Sequence, residues 1–133
     1  MFFTGSLFSQ PAGYSFGKQI TILASQVSGG APLSDFPVLI SFTDADLRQT
    51  PAGNVEHVNG FDIIFTTNNC FTITQLDHQI ESYNPATGEY VAWVNIPLLS
   101  NFADTRIFMF YGDSSVVEKT VILTTAKWCK LTT

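Results

Sequence analysis

The densest group of polar side chains in the chain lies in residues 76–83. If this segment is a β-strand, its side chains alternate between two faces, with about 7 Å between successive members of one face. The residues that share the polar face are Asp77, Gln79, Glu81 and Tyr83. Such a row of carboxylate, amide and phenol groups can hydrogen-bond sugar hydroxyls, and its oxygens also suit a weak calcium site.

Residues 84–88 (Asn-Pro-Ala-Thr-Gly) predict a hairpin turn after this strand. Asn favours the first turn position, Pro presets the next φ, and Gly accepts a positive φ at the exit. The following strand, predicted over 89–96, then pairs with 76–83. This pairing brings Trp93 or Tyr90 beside the polar row, where an aromatic ring can stack on a sugar ring.

The polar row has two interpretations, a carbohydrate-binding face or the ordinary solvated face of an antiparallel strand. Catalysis is not expected, because glycosidic cleavage needs two carboxyls about 5 to 9 Å apart across a cleft. No nucleophile elbow, HExxH motif or phosphate-binding glycine loop occurs in the chain. We therefore predict a protein that is not an enzyme.

Other polar residues have structural interpretations. His78 falls on the apolar face of its strand, and Thr43 or Asp44 in residues 43–48 suits the cap of one helical turn rather than a calcium loop. Asp62 alternates with Ile63 and is expected to point away from the apolar side of its strand. These residues are not expected to form a metal site, and no cofactor is predicted beyond a weak calcium site.

Composition indicates one all-β domain with an acidic surface. Among 133 residues, 45% are hydrophobic and 13% are charged, with twelve Phe and a net charge of −5. Such a charge disfavours nucleic acid and anionic membranes, and no apolar run approaches the ~20 residues of a membrane span. The predicted fold is a two-layer, jelly-roll-like antiparallel β-sandwich. The expected strands are 17–24, 36–42 (buried on both faces), 61–66, 70–75, 76–83, 89–96 (ended by Pro97), 106–111 and 116–124.

The two cysteines and the N-terminus bear on the compartment. Cys70 and Cys129 either pair in an oxidising compartment or stay free thiols, and no Cys/His cluster suggests zinc. Residues 1–12 are apolar with small polar residues following, which fits the remnant of a secretory signal, an apolar first strand or a disordered leader. The single domain is then expected over 13–133, with an atypical tail from about 114.

A series of ordered motifs resembles the bacterial domain-of-unknown-function family numbered 2341. The resemblance covers roughly residues 13–113, and its motifs are residues 13–22, 35–40, 43–47, 60–66, 76–83, 93–97 and 107–112. It implies a secreted or cell-surface β-sandwich, often beside lectin-like modules, with no established catalytic residues. The chain departs from the family pattern at residues 68–74 and after Gly112.

These observations give two expectations for function. The first is a non-catalytic extracellular binding or adhesion module for polysaccharide or another cell-surface polymer, using the polar row and Trp93. The second is a structural or assembly domain of a surface protein or filament, whose partners are neighbouring copies or modules.

Overall fold

The computed structural model describes residues 6–9, 11–68, 73–117 and 129–132. Two single-turn 3₁₀ helices lie at Ala24–Gln26 and Ala45–Leu47. The strands of these residues are β1 (Ser6–Ser9), β2 (Phe16–Ile22), β3 (Leu33–Thr43), β4 (Ile64–Asn68), β5 (Ile73–Gln75), β6 (His78–Asn84), β7 (Glu89–Leu99), β8 (Thr105–Tyr111) and β9 (Cys129–Thr132).

Seven of these strands form two antiparallel sheets. One sheet has the order β2-β8-β4-β5 and the other β3-β7-β6, while β1 pairs with β9. One hydrophobic cluster joins Ala92 and Val94 of β7 to Phe65 of β4 and Ile107 of β8, so the two sheets pack face to face. The prediction of an all-β fold of antiparallel sheets in two layers is confirmed.

Strand β7 shows how alternation builds this core. Tyr90, Ala92, Val94 and Ile96 are buried, whereas Trp93 between them is exposed. Each full burial of a Val or Ile side chain contributes about 1.5–3 kcal/mol. The same alternation gives the β3–β7–β6 sheet a second side, which faces away from the other sheet and which we call the outer face.

Two strand predictions were wrong in ways that bear on this outer face. Residues 36–42 are not buried on both faces, because no described strand covers the outer side of this sheet, where Leu39 is 47% exposed. Pro97 does not end β7, which continues to Leu99. Pro97 lies opposite Asp35, and these two residues are not paired in the ladder between β3 and β7. The N–H that proline lacks is therefore not needed for a hydrogen bond between the strands.

The predicted turn after β6 and the predicted helix cap are both confirmed. Asn84 Oδ1 accepts from the Ala86 N–H at 2.9 Å, and Gly88 has a φ of 78°. Asp44 Oδ1 accepts from the Asp46 N–H at 2.9 Å and caps the Ala45–Leu47 turn. A Cβ on Gly88 would lie 2.0 Å from the Asp44 carbonyl oxygen, so the hairpin turn and the capped turn pack directly together.

Asp62 is not a surface acid, contrary to the expectation from alternation. Its side chain is fully buried and accepts backbone N–H groups from Glu56 (2.8 Å), His57 (3.0 Å) and Gly112 (3.1 Å). Alternation fails here because Asp62 lies in a turn and β4 begins only at Ile64. The carboxylate therefore ties the loop before β4 to the end of β8.

Other predictions fall partly or wholly outside the described residues. Cys70 and most of 116–124 lie there, and Val116 and Val117 are not in a strand. The predicted strand 70–75 is described only as Ile73–Gln75. The two alternatives for Cys70 and Cys129, a disulfide or free thiols, therefore stay open.

An ion pair links β2 to the capped turn and gives a pH-dependent contribution to stability. Lys18 Nζ contacts Asp44 and lies 3.2 Å from Asp46 Oδ2. Burial opposes the charged amine, but hydrogen bonds to Asp44 and Asp46 raise the pKa of Lys18 overall. The hydrogen bond from Lys18 in turn lowers the pKa of Asp44 below its usual 3.8.

Asp44→Asn is expected to keep the cap but lose this charge pairing. Because the lowered pKa of Asp44 favours its ionised form, the stabilisation is present above pH 3.8 and is lost as pH falls through the folded-state pKa. The raised pKa of Lys18 leaves its contribution intact until strongly alkaline pH. Because the ion pair is partly exposed and screened by salt, Asp44→Asn is expected to lower the free energy of unfolding by less than about 1 kcal/mol at pH 7. Chemical unfolding of both proteins from pH 2 to 8 measures this difference; one that persists undiminished at pH 2 contradicts the assignment.

Candidate functional site

The register of β6 and β7 brings Trp93 beside the predicted polar row. Gln79 pairs directly with Trp93, and Leu39 of β3 pairs with Trp93 on its other side. Directly paired residues of antiparallel strands point to the same side of the sheet. The rung Leu39–Trp93–Gln79 therefore crosses the outer face, with the Trp93 side chain 42% exposed at its centre.

A shallow open depression of about 280 Å³ lies on the outer face next to this rung. Its floor and walls come from all three strands and the residue before β6: Pro37, Asp77, His78, Gln79, Trp93 and Asn95. The Asn95 N–H donates to the Asp77 carbonyl oxygen at 2.9 Å, which holds the start of β6 against β7. The predicted neighbours Asp77, Gln79 and Trp93 are thus brought together.

The predicted face of Tyr83 was wrong because β6 contains a β-bulge. Ile80 pairs with Ala92 and Ser82 pairs with Val91, which leaves Glu81 as the extra residue. A bulge of this kind shifts the alternation by one position. Glu81 and Ser82 are consequently both exposed, and Tyr83 turns to the inner side of the sheet.

Tyr83 serves the core instead of the outer face. Its hydroxyl donates to the Leu47 carbonyl oxygen at 2.6 Å, and its ring meets Tyr90 edge-on at 6.1 Å. Burial, with a smaller contribution from the charge of Asp62, raises the pKa of Tyr83 to about 12. Tyr83 therefore links the hairpin to the Ala45–Leu47 turn and is not positioned for a ligand on the outer face.

His78 lies on the apolar face, as the alternation of its strand predicts. It is buried, and its ring meets the Phe65 ring edge-on at 5.3 Å. His57, the other histidine, stacks on Phe61 with ring centroids 4.6 Å apart. Each histidine packs against an aromatic ring.

Sequence reasoning missed part of the outer face. Leu39 and Pro37 reach it from β3, and Asn95 and Glu89 reach it from β7 on the same side as Trp93. Alternation in the strand predicted over 89–96 places Asn95 and Glu89 on the same side as Trp93, so the sequence alone could have identified them. Leu39 and Pro37 could not be placed, because the pairing of β3 with β7 joins residues more than fifty positions apart.

The outer face combines an apolar centre with polar groups around it. The rings of Trp93 and Pro37 and the side chain of Leu39 offer flat apolar contact, while Gln79 and Asn95 offer donors and acceptors. Asp77 and Glu81 add carboxylates, which accept hydrogen bonds from hydroxyl or ammonium groups. Across the described residues, no cluster of three or more His, Cys, Asp or Glu side chains is placed to hold a metal ion.

Within the described ranges, no helix has the length and apolar character needed to cross a membrane.

Comparison with family models matches residues 59–123 to a domain of unknown function (DUF2341), the family that the sequence motifs resemble. This match includes β6 and β7, which carry Asp77, Gln79, Glu81 and Trp93, but not β3. No curated protein and no solved structure matches the chain in the corresponding comparisons.

Proposed function

We propose that this chain, whose residues 59–123 match the model of the family described as a domain of unknown function (DUF2341), is a non-catalytic module that binds extracellular polysaccharide. The observation that carries the proposal is the exposed Trp93 at the centre of a solvent-facing sheet, between Leu39 and Gln79. A large aromatic side chain exposed among polar groups is typical of a recognition surface.

The chemistry of the outer face suits a sugar polymer. A pyranose ring presents axial C–H groups on its faces, which pack on Trp93, and hydroxyls at its rim, which need hydrogen-bonding partners. Gln79 and Asn95 supply such partners beside the ring, and Asp77 lines the same depression. An open depression also leaves both ends of a bound chain free, as a polymer requires.

The arrangement of the carboxylates supports binding rather than hydrolysis. Asp77 and Glu81 lie four residues apart along one extended segment, which separates them by about 13 Å. Glycosidases place their two carboxyls about 5 to 9.5 Å apart on either side of the scissile bond. We propose a secreted or cell-surface location, which the family resemblance favours.

Trp93→Ala is expected to weaken polysaccharide binding about tenfold, or ~1.4 kcal/mol, because it removes the stacking surface. Phe102→Ala is the matched control, since Phe102 is 80% exposed but lies in the β7–β8 loop away from the outer face. Affinity electrophoresis on a panel of polysaccharides measures both variants, with thermal unfolding to show that each remains folded. Glu81→Ala is expected to cause a smaller loss.

If Trp93→Ala and Phe102→Ala bind polysaccharide equally well, the outer face is not the binding site. If no polysaccharide in the panel binds the unsubstituted protein, the binding function itself fails. The alternative of a structural or assembly domain stays a prediction. Light scattering of the same sample addresses it, because assembly raises the particle mass without any glycan.

A further inference from the structure

We infer that the polymer bound by the outer face is an amino-sugar chain with free, protonated amines, in preference to a uronic-acid chain; this inference rests on the proposed function. It concerns the charge of the ligand rather than its presence.

Three exposed carboxylates lie on or beside the outer face. Asp77 lines the depression with Trp93, and Glu81 lies beside Gln79 at the bulge of β6. Glu89 lies on β7 with the same parity as Trp93, four residues away and therefore about 13 Å along the strand. The carboxylates are thus spaced over a distance that spans several sugar units instead of forming one compact cluster.

No described Lys or Arg side chain forms an ion pair with Asp77, Glu81 or Glu89. Within residues 11–68 and 73–117 the basic residues are Lys18, Arg48 and Arg106. Lys18 is held by Asp44 and Asp46, and the Arg48 Nε–H donates to the Ala45 carbonyl oxygen at 3.0 Å. Arg106 lies on β8 in the opposite sheet. A polyanion would therefore meet three carboxylates that no ion pair with a described residue neutralises.

Two electrostatic terms favour an ammonium group at this face. Each exposed carboxylate–ammonium contact increases affinity by a few-fold. When one polymer makes several such contacts, their gains in affinity multiply. An ammonium group near the face of the Trp93 ring gains cation–π attraction in addition. Both terms require the positive charge on the sugar, so an N-acetylated chain of the same backbone loses them and keeps only stacking and neutral hydrogen bonds.

Isothermal titration with three oligosaccharides of equal length tests the inference: a glucosamine oligomer, its fully N-acetylated counterpart and a uronic-acid oligomer. The titrations are run at about pH 5.5, where the sugar amines are protonated. The glucosamine oligomer is expected to bind about three- to tenfold more tightly than the N-acetylated one at low salt. The preference is expected to vanish near 1 M salt, where screening acts within about 3 Å. The uronic-acid oligomer is expected to bind most weakly.

A double variant separates local recognition from the general negative charge of the protein. Asp77→Asn with Glu81→Gln is expected to abolish the preference, so that the glucosamine oligomer and its N-acetylated counterpart bind this variant with equal affinity. The matched control, Glu56→Gln with Asp104→Asn, removes the same total charge away from the outer face and is expected to keep the preference.

The outcomes are distinguishable from failure of the proposed function. Equal or tighter binding of the N-acetylated or uronic-acid oligomer overturns the charge inference while leaving polysaccharide binding intact. A preference that survives the Asp77 and Glu81 double variant also overturns it. Absence of binding by all three oligomers, together with the wider polysaccharide panel, overturns both proposals.

Discussion

Asp62→Ala is expected to lower the free energy of unfolding by about 3–5 kcal/mol, the first of the two largest effects in this protein. The substitution leaves three backbone N–H groups, those of Glu56, His57 and Gly112, without their acceptor. Each buried donor left unsatisfied costs about 1–3 kcal/mol, although water entering the loop offsets part of the sum. Denaturant unfolding monitored by circular dichroism measures the loss.

Asp104→Ala is the control for this substitution. Asp104 Oδ1 also accepts a backbone N–H, that of Ala24 at 2.9 Å, but the bond is exposed to water. Its loss is expected to cost about 1 kcal/mol or less. Equal costs for the two substitutions would show that Asp62 does not tie the loop before β4 to the end of β8.

Tyr90→Ala is expected to cost a similar 3–5 kcal/mol, because it opens a large cavity between the sheets. Tyr90 is fully buried, and its ring contacts Phe42, Phe65 and Tyr83 at centroid distances of 6.1–6.3 Å. Partial unfolding near room temperature is the expected consequence, since a small domain has only about 5–15 kcal/mol of stability. Thermal and denaturant unfolding measure it.

Tyr90→Phe is expected to behave oppositely, with stability unchanged or raised by up to about 1 kcal/mol. The Tyr90 hydroxyl is buried without a hydrogen-bond partner among the described residues. Burial, with a smaller contribution from Tyr83, raises the pKa of Tyr90, so the hydroxyl stays neutral. Removing an unsatisfied buried hydroxyl relieves its desolvation cost. A loss of more than 1 kcal/mol in Tyr90→Phe would contradict this assignment of the core.

The β6–β7 hairpin shows what the sequence can predict. The turn chemistry of residues 84–88 and the alternation in the strands around it are local signals, and they correctly placed Gln79, Trp93 and His78. Short-range pattern therefore sufficed to identify the centre of the candidate site.

Three features of the structure depend on contacts that no local pattern encodes. The bulge at Glu81 places Tyr83 on the core side of the sheet. The alternation of apolar and polar residues does not indicate where a strand contains such an extra residue. Leu39 is exposed because no described strand covers the outer face of its sheet, which depends on how the two sheets pack. Asp62 is buried because it binds backbone groups up to fifty residues away.

Backbone amide and indole N–H shifts in an NMR titration test the central claim most directly. With a bound oligosaccharide, the account predicts the largest shift changes at Trp93, Gln79 and Leu39 on the outer face, with small changes on β2 and β8. Changes confined to the β2-β8-β4-β5 sheet, or none with neutral, amino-sugar and uronic-acid oligomers alike, would contradict it.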